Sequence, residues 1–346
     1  MIKKYEKFSL KNYNSFGIDV KARQLITFSS EEDIPHLINN LSEKENILVL
    51  GGGSNILFTN DYNGTIIKNE IKGINEKQIN ENEILLSIGA GEVWDDVVDY
   101  AVKRNYFGIE NLSLIPGSVG AAPIQNIGAY GVELKDVIHS LDGFSIDNGE
   151  KRIFTLDECK FSYRDSIFKN ELKEKIIITK VNLRLITKGK LNTNYLSLKN
   201  YLIENNLTAP TLSQIREAVI NIRTSKLPDP KKLGNAGSFF KNPKVTKKEF
   251  DELIQKYPNL SYFIPEDGLY KISAGWLIEK CGLKGIRKGN VGTHLNQALV
   301  IVNYGGSTGE EILKFAKNIQ TKVFNEFGIL LEPEVNIINN NQQEYL

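Results

Sequence analysis

The chain has 346 residues, long for one hydrophobic core, and its size reads as two or three domains. Lys and Arg number 43 against 42 Asp and Glu, so a formal charge of +1 gives no general pull towards nucleic acid or an anionic membrane, and any anion site must be local. Neither a membrane helix nor a signal peptide is expected: apolar runs such as Ile47 to Leu50 fall far short of the roughly 20 residues a span needs, and MIKKYEKFSL has no apolar stretch behind its lysines.

In chain order, LITF, ILVL, GTIIKN and EILLSIGAG read as short strands bounded by Gly, Asn or Asp. A helix is expected from about Glu92 to Arg104, where Val93, Trp94, Val97, Val98 and Ala101 recur at helical spacing. IENLSLIPGSVGAAPIQNIGAYGVE follows, too rich in Gly and Ala for a helix and too apolar for a solvated loop, so backbone must approach something closely there. FSIDNGEKRIF carries a hairpin signal at Asn148-Gly149, and KIIITKVNLRL is a further strand. From Tyr195 the pattern turns helical, with Ile215, Val219, Ile222 and Thr224 on one buried face, until LPDPKKLG breaks it. The last third alternates: a Thr246/Glu249 capping box and its helix, a helical AGWLIEKCGL, a strand QALVIVNY, a long helix capped by Ser307 and Glu310 and ending near Gly328, and a final strand LLEPEVNII. The tail NNNQQEYL is expected to be disordered. Cys159, Cys281 and the three scattered histidines lack the spacing of a zinc site or disulfide scaffold, so no metal is expected and a reducing cytoplasm fits. The fold class is α+β, with a β-rich first half and an α/β last third.

Two stretches could cradle a phosphate. LVLGGGSN sets Gly51, Gly52 and Gly53 after a strand, with Ser54 and Asn55 beyond, so backbone amides can meet an anion with no Cβ between. A Rossmann fingerprint fails here, because Ile56 stands where its last glycine belongs and the following LFTNDYNG is turn-rich. Alone, this loop serves equally well as a structural turn. IPGSVGAAPIQNIGAYG adds a second Gly/Ala loop with Ser118, Gln125 and Asn126, apolar enough to cover a flat aromatic ring system. Together the loops resemble the FAD-binding module of the vanillyl-alcohol-oxidase-like, PCMH-type flavoproteins, which implies FAD held between two small α+β subdomains. Gly53 stands where covalent members often carry a histidine, so the resemblance implies noncovalent FAD.

FSYRDSIFK, TSKLPDPKKLGNAGSFFKNP and LEPEV, with SFGID and LIPGSVGAAPIQNIGAYGVEL, make the chain similar over nearly its whole length to the UDP-N-acetylenolpyruvoylglucosamine reductase (MurB) family. LNTNYLSL resembles a segment of its longer, type I form. The resemblance implies a first FAD-binding subdomain at 1–70, joined by the final strand and tail at about 336–346, a second at 71–215, and a C-terminal α/β substrate-binding domain at 216–335. It implies a cytoplasmic oxidoreductase that passes hydride from NADPH through FAD to the β-carbon of UDP-N-acetylglucosamine enolpyruvate. A proton at the α-carbon then gives UDP-N-acetylmuramate, a peptidoglycan precursor needed for cell-wall biogenesis, cell shape, the cell cycle and division. NADPH and that nucleotide sugar are its implied partners, with no nucleic acid, membrane insertion or obligate protein partner.

Hydride at the β-carbon pushes negative charge towards the α-carbon and its carboxylate, so the chemistry needs a cation over that charge and one well-placed proton. By motif, Arg164 of YRDS supplies the cation, and its planar fork suits a carboxylate. Ser238 matches the proton donor; a hydroxyl is a weak acid and works only when held against the carbanion. Gly234, Ala236 and Gly237 would allow close approach, while Phe239 and Phe240 anchor the turn. Glu334 of LEPEV matches the third catalytic position, orienting or polarising the carboxylate end. FAD contacts fall to Gly51, Gly52, Gly53, Ser54, Asn55, Pro116, Gly117, Ser118, Gln125, Asn126, Ile127 and Gly128, and the UDP-sugar to Tyr195, Lys226 and Asn242. On residue type alone each catalytic choice, and the substrate-binding Tyr195, has a blander reading: Arg164 paired with Asp165, Ser238 turning the chain, Glu334 facing solvent beside Glu332, Tyr195 in a core. Asn336 stands where many relatives carry a basic residue. Another noncovalent flavin oxidoreductase of the same superfamily with a different acceptor stays open as an alternative, as does a silent nucleotide-binding protein.

Overall fold

The computed structural model describes residues 1–41, 46–266 and 268–339. Strands β1 (Lys3–Ser9) and β2 (Lys21–Phe28) lead to helix α1 (Asp33–Asn39), then β3 (Ile47–Leu50), β4 (Ile56–Phe58), β5 (Tyr62–Asn69), β6 (Ile74–Asn80) and β7 (Glu83–Gly89). Helix α2 (Trp94–Lys103) precedes the short pair β8 (Gly128–Ala129) and β9 (Val132–Glu133), the hairpin β10 (Ile138–Ser145) and β11 (Lys151–Thr155), the long β12 (Ile176–Ile186), and helices α3 (Leu196–Glu204) and α4 (Leu212–Lys226). The remainder runs β13 (Gly234–Ser238), β14 (Lys244–Val245), α5 (Lys247–Lys256), β15 (Tyr262–Glu266), β16 (Leu269–Ile272), α6 (Ala274–Lys280), β17 (Arg287–Lys288), β18 (Val291–Thr293), β19 (Val300–Asn303), α7 (Gly309–Phe327) and β20 (Asn336–Ile338). The chain is α+β.

Local chemistry explains most of these elements. In α2, Trp94, Val97, Val98, Ala101 and Val102 form the buried stripe, and Asp95 and Asp96 sit at the positive end of the helix dipole. The Thr246/Glu249 capping box opens α5. The box that opens α7 is shifted by one residue from the expected Ser307/Glu310: Thr308 accepts from Glu311 N, while Thr308 N donates to the Glu311 carboxylate at 2.8 Å. Ser307 is buried instead, and Gly328 closes the helix in the left-handed conformation. Thr224 is exposed rather than on the buried face of α4, its hydroxyl donating back to Ile220 O at 2.9 Å. The final strand is shorter than LLEPEVNII implies. Pro333 has no N–H to give a ladder, makes one isolated bridge to Phe240, and the regular strand begins only at Asn336. Of the expected disordered tail, residues 340–346 lie outside the described residues.

The chain divides into two compact units: Met1–Phe8, Ala22–Gly53 and Asn63–Thr224 form the first; Ser9–Lys21, Ser54–Tyr62 and Ser225–Leu346 the second. In the first, a four-stranded sheet of order β1-β2-β5-β3 and a five-stranded sheet of order β11-β10-β12-β7-β6 each have their own core. Ile26, Phe28, Ile34 and Ile67 bury the first, and Trp94, Val98, Leu141, Val181 and Leu183 the second. Helices α3 and α4 pack through Leu198, Leu202, Ile215, Val219 and Ile222, so α4 runs straight across the boundary expected at 215. The second unit holds the sheets β13-β19-β18-β17 and β14-β16-β15, and β20 runs parallel to β4 with Asn336 opposite Ile56. Segments 9–21 and 54–62 therefore group with the C-terminal part rather than with the rest of 1–70.

Candidate active site

The two glycine loops meet within the first unit. A Cβ on Gly52 would lie 2.7 Å from Gly117 Cα, and one on Gly51 would lie 2.7 Å from both Ala121 Cβ and Ser118 Oγ. Main chain rests on main chain here, which is why side chains are excluded. Lys68 reaches from β5 to donate to Gly51 O at 2.9 Å, and burial pulls its pKa below the usual lysine value. The N–H groups of Gly52, Gly53 and Gly117 have no acceptor among the described residues. With Gly53 at φ 64 turning the chain, such amides make the kind of concavity that takes an anion, and the loops fit the diphosphate of a dinucleotide such as FAD. Pro116 is exposed at the edge of the second loop, and Ser118 and Gln125 are half-buried.

Further along the second loop, the nominated Asn126 proves to be a brace. It is fully buried at φ 44; its Nδ2 donates to Glu133 Oε2 at 2.9 Å and Ser162 O at 3.0 Å, and its Oδ1 accepts from Lys135 N at 3.0 Å. That amide shapes the loop and is not left over for a ligand. Ile127 likewise spends both main-chain groups, on Ala122 O and Leu134 N.

Gly128 O accepts from Arg164 Nη2 at 2.7 Å, so a nominated cofactor residue and a nominated catalytic one touch. Arg164 sits at φ 55 in a tight turn closed by reciprocal main-chain bonds between Ser162 and Asp165. The left-handed conformation costs an arginine about 1–2 kcal/mol, a strain the turn imposes. Asp165 Oδ1 is engaged by Ser166 N and Asn170 Nδ2. Tyr195 caps α3 and packs edge-on against Tyr130 at 5.4 Å; burial raises its phenol pKa, and the nearby Arg164 works against that rise.

Arg223 was missed from sequence. Burial disfavours its charge, Tyr130 and Asp95 support it, Arg164 repels it, and its Nε has no partner among the described residues. The available signal was a charged residue next to Ile222 on the apolar side of α4. Beside it, Arg216 grips Asp95 through two bonds of 2.7 and 3.0 Å. Burial alone would raise the Asp95 carboxyl, but Arg216 and Leu114 N together hold it below the usual carboxylate value.

The second unit brings Ser238 and the LEPEV segment together through main-chain pairing. Phe239 N donates to Leu299 O, Glu334 N to Phe239 O and Lys241 N to Glu332 O, each at 2.9, 2.8 and 2.9 Å respectively. Phe239 and Phe240 are fully buried and anchor the turn. Ser238 is half-buried, and its hydroxyl has no partner among the described residues. Glu332 is exposed and pairs with Lys241 at 3.2 Å, whereas Glu334 is half-buried, which separates the two carboxylates in environment. Asn55 Nδ2 donates to Glu334 O at 3.0 Å, so this nominated cofactor residue also steadies the Glu334 main chain. Ser54 offers its carbonyl to Ser15 Oγ. Asn242 Oδ1 accepts from Ala274 N at 2.9 Å, leaving its Nδ2 with no acceptor among the described residues, and Lys226 is exposed. Gly234 is small for an internal reason: a Cβ there would lie 2.3 Å from Phe16 O.

Residues 229–338 match the C-terminal domain of UDP-N-acetylenolpyruvoylglucosamine reductase, and residues 22–152 match an FAD binding domain. A UDP-N-acetylenolpyruvoylglucosamine reductase of Flavobacterium johnsoniae is 47% identical over 333 residues, 96% of this chain and 98% of its own. One from Amoebophilus asiaticus is 47% identical over 334 residues, again 96% and 98% of the two chains. The crystal structure of the Thermus caldophilus enzyme superposes with a TM-score of 0.67 at 23% identity, covering 98% of this chain and 99% of that one, a likeness of fold.

Proposed function

The chain belongs to the UDP-N-acetylenolpyruvoylglucosamine reductase family, and on that premise we propose that it reduces UDP-N-acetylglucosamine enolpyruvate to UDP-N-acetylmuramate with NADPH, for peptidoglycan synthesis. The observation that carries this reading is 47% identity to relatives of that activity along 96% of the chain. Bound noncovalently, FAD would supply the two-electron carrier between NADPH and the enolpyruvyl double bond. The balance is one hydride and one proton added to the substrate while NADPH becomes NADP+. Among the described residues no helix is long and apolar enough to cross a membrane. We place the enzyme in the cytoplasm, with no obligate protein partner.

In this reading the amides of Gly52, Gly53 and Gly117 bind the cofactor diphosphate, with Lys68 holding the first loop from behind. Arg164, kept in its strained turn and anchored on Gly128 O, presents its guanidinium charge to the substrate carboxylate as negative charge develops. Ser238 gives its proton to the α-carbon and regains one from solvent; a hydroxyl with no partner among the described residues is ready for that role. Glu334 orients the carboxylate end. Lys226 meets the diphosphate of the sugar as a mobile point charge, Asn242 donates through its Nδ2, and Tyr195 covers the nucleotide. The test is NADPH oxidation with and without UDP-N-acetylglucosamine enolpyruvate. Oxidation that depends on that substrate is expected, and oxidation indifferent to it would favour a flavin oxidoreductase with another acceptor.

A further inference from the structure

Ser238 owes its direction to an irregularity in its own strand. In the β13–β19 pair Asn235 stands opposite Val302 and Ser238 opposite Val300, so three steps on one strand match two on the other. That is a β-bulge at Ala236 and Gly237. In a strand each extra residue turns everything after it to the other face. Without the bulge Gly237 would face Val300, and the Ser238 hydroxyl would point away from the side it now occupies.

Asn235 holds the bulge in place. The residue is 4% exposed, and its Oδ1 accepts from Gly237 N at 2.9 Å, closing a turn over the extra residue. Its Nδ2 donates to Leu233 O at 2.8 Å and Pro228 O at 3.1 Å, tying the same amide to the incoming loop, while its main-chain N donates to Ser15 O at 3.0 Å. Gly237 takes φ 69, and a Cβ there would touch nothing within 4 Å. Space therefore does not demand glycine at 237; the left-handed conformation of the bulge does.

We propose that Asn235 is a positioning residue for the reaction, setting the direction of the Ser238 hydroxyl by pinning the Gly237 bulge; this rests on Ser238 being the proton donor. Two half-reactions separate the roles: loss of flavin absorbance on adding NADPH, and its return on adding UDP-N-acetylglucosamine enolpyruvate. Asn235→Ala should slow the first by less than about 3-fold and the second by about 10- to 100-fold, the scale of an ångström-level misplacement. Asn235→Ser restores a short acceptor for Gly237 N and should recover much of the second rate, although it lacks the two donors and gains no thermal stability. In a Ser238→Ala background, Asn235→Ala should cause no further loss, because both changes remove the same proton delivery. Gly237→Ala, which adds no clash, should reproduce the selective slowing and serves if Asn235→Ala does not fold. Equal slowing of both half-reactions, or an undiminished extra loss on the Ser238→Ala background, would overturn the positioning role. If Ser238→Ala alone leaves flavin reoxidation unchanged, it is the donor assignment that fails.

Discussion

Gly52→Ala is the sharpest probe of the glycine loops. The new methyl would lie 2.7 Å from Gly117 Cα, 3.2 Å from Gly117 C and 3.3 Å from Ser118 N, all main-chain atoms that cannot rotate away. Carbon atoms in good contact sit about 3.5–4.0 Å apart, so the loops must part by about 1 Å. Overpacking of that kind costs about 1–3 kcal/mol. If the unliganded loops relax and FAD must draw them back, the cost falls on affinity, and at about 1.4 kcal/mol per tenfold the FAD dissociation constant rises about 5- to 150-fold. Titration of apo-protein with FAD, followed by flavin fluorescence, measures it directly. Gly51→Ala provides the matched control. Its methyl would meet Ala121 Cβ and Ser118 Oγ at 2.7 Å, so Ala121→Gly should restore much of the lost affinity, with the serine hydroxyl rotating aside. No side-chain deletion can rescue Gly52→Ala, since Gly117 has none to lose. Unchanged FAD affinity in Gly52→Ala, or no rescue of Gly51→Ala by Ala121→Gly, refutes the reasoning.

Ser238→Ala should let NADPH bleach the flavin at near-normal rate while reoxidation by the enolpyruvyl substrate falls by about 100-fold or more, within the range of a positioned acid; equal damage to both steps in rapid mixing would point to folding or flavin placement. Burial raises the Glu110 carboxyl above its ordinary 4.5, despite a bond from Gly108 N. The folded state then holds this proton more tightly than the unfolded chain, so its contribution to stability falls as pH rises from 4.5 through the raised value. Glu110→Gln should therefore raise Tm at neutral pH, by about 2–4 °C per kcal/mol regained, and the gain should vanish as pH is lowered; a gain equally large at acid pH would contradict this. Thr308→Ala should cost about 0.5–2 kcal/mol in denaturant melts, and Ser307→Ala clearly less, because only the threonine makes the capping box.

Short-range chemistry was the legible part of this chain. The hairpin at Asn148-Gly149, the stripe of α2 and the Thr246/Glu249 box all depend on residues within a turn of each other, and all are present. The box of α7 was misplaced because Ser307-Thr308 followed by Glu310-Glu311 satisfies the pattern in two registers, and only burial of Ser307 decides between them. What sequence could not carry was pairing across distance. Nothing near Ser238 announces that Pro333 bridges Phe240, or that segment 54–62 belongs with β20. The nominated residues came from motif resemblance, and the structure adds their surroundings: Asn126 and Asn55 spend their amides on the protein, while Arg223 enters from an apolar helix face.

The second unit is stitched from residues 9–21, 54–62 and 225–346, with β4 paired to β20 near the far end. On a ribosome, β4 emerges long before its partner, since Ile338 of β20 lies 279 residues beyond Thr59, which directly follows β4. Loops closed over such separations form slowly and leave unpaired edges exposed meanwhile. Ser238 likewise waits for the LEPEV segment, whose Glu332 follows Lys241 by 91 residues, before these two catalytic candidates can be joined by their strand pairing.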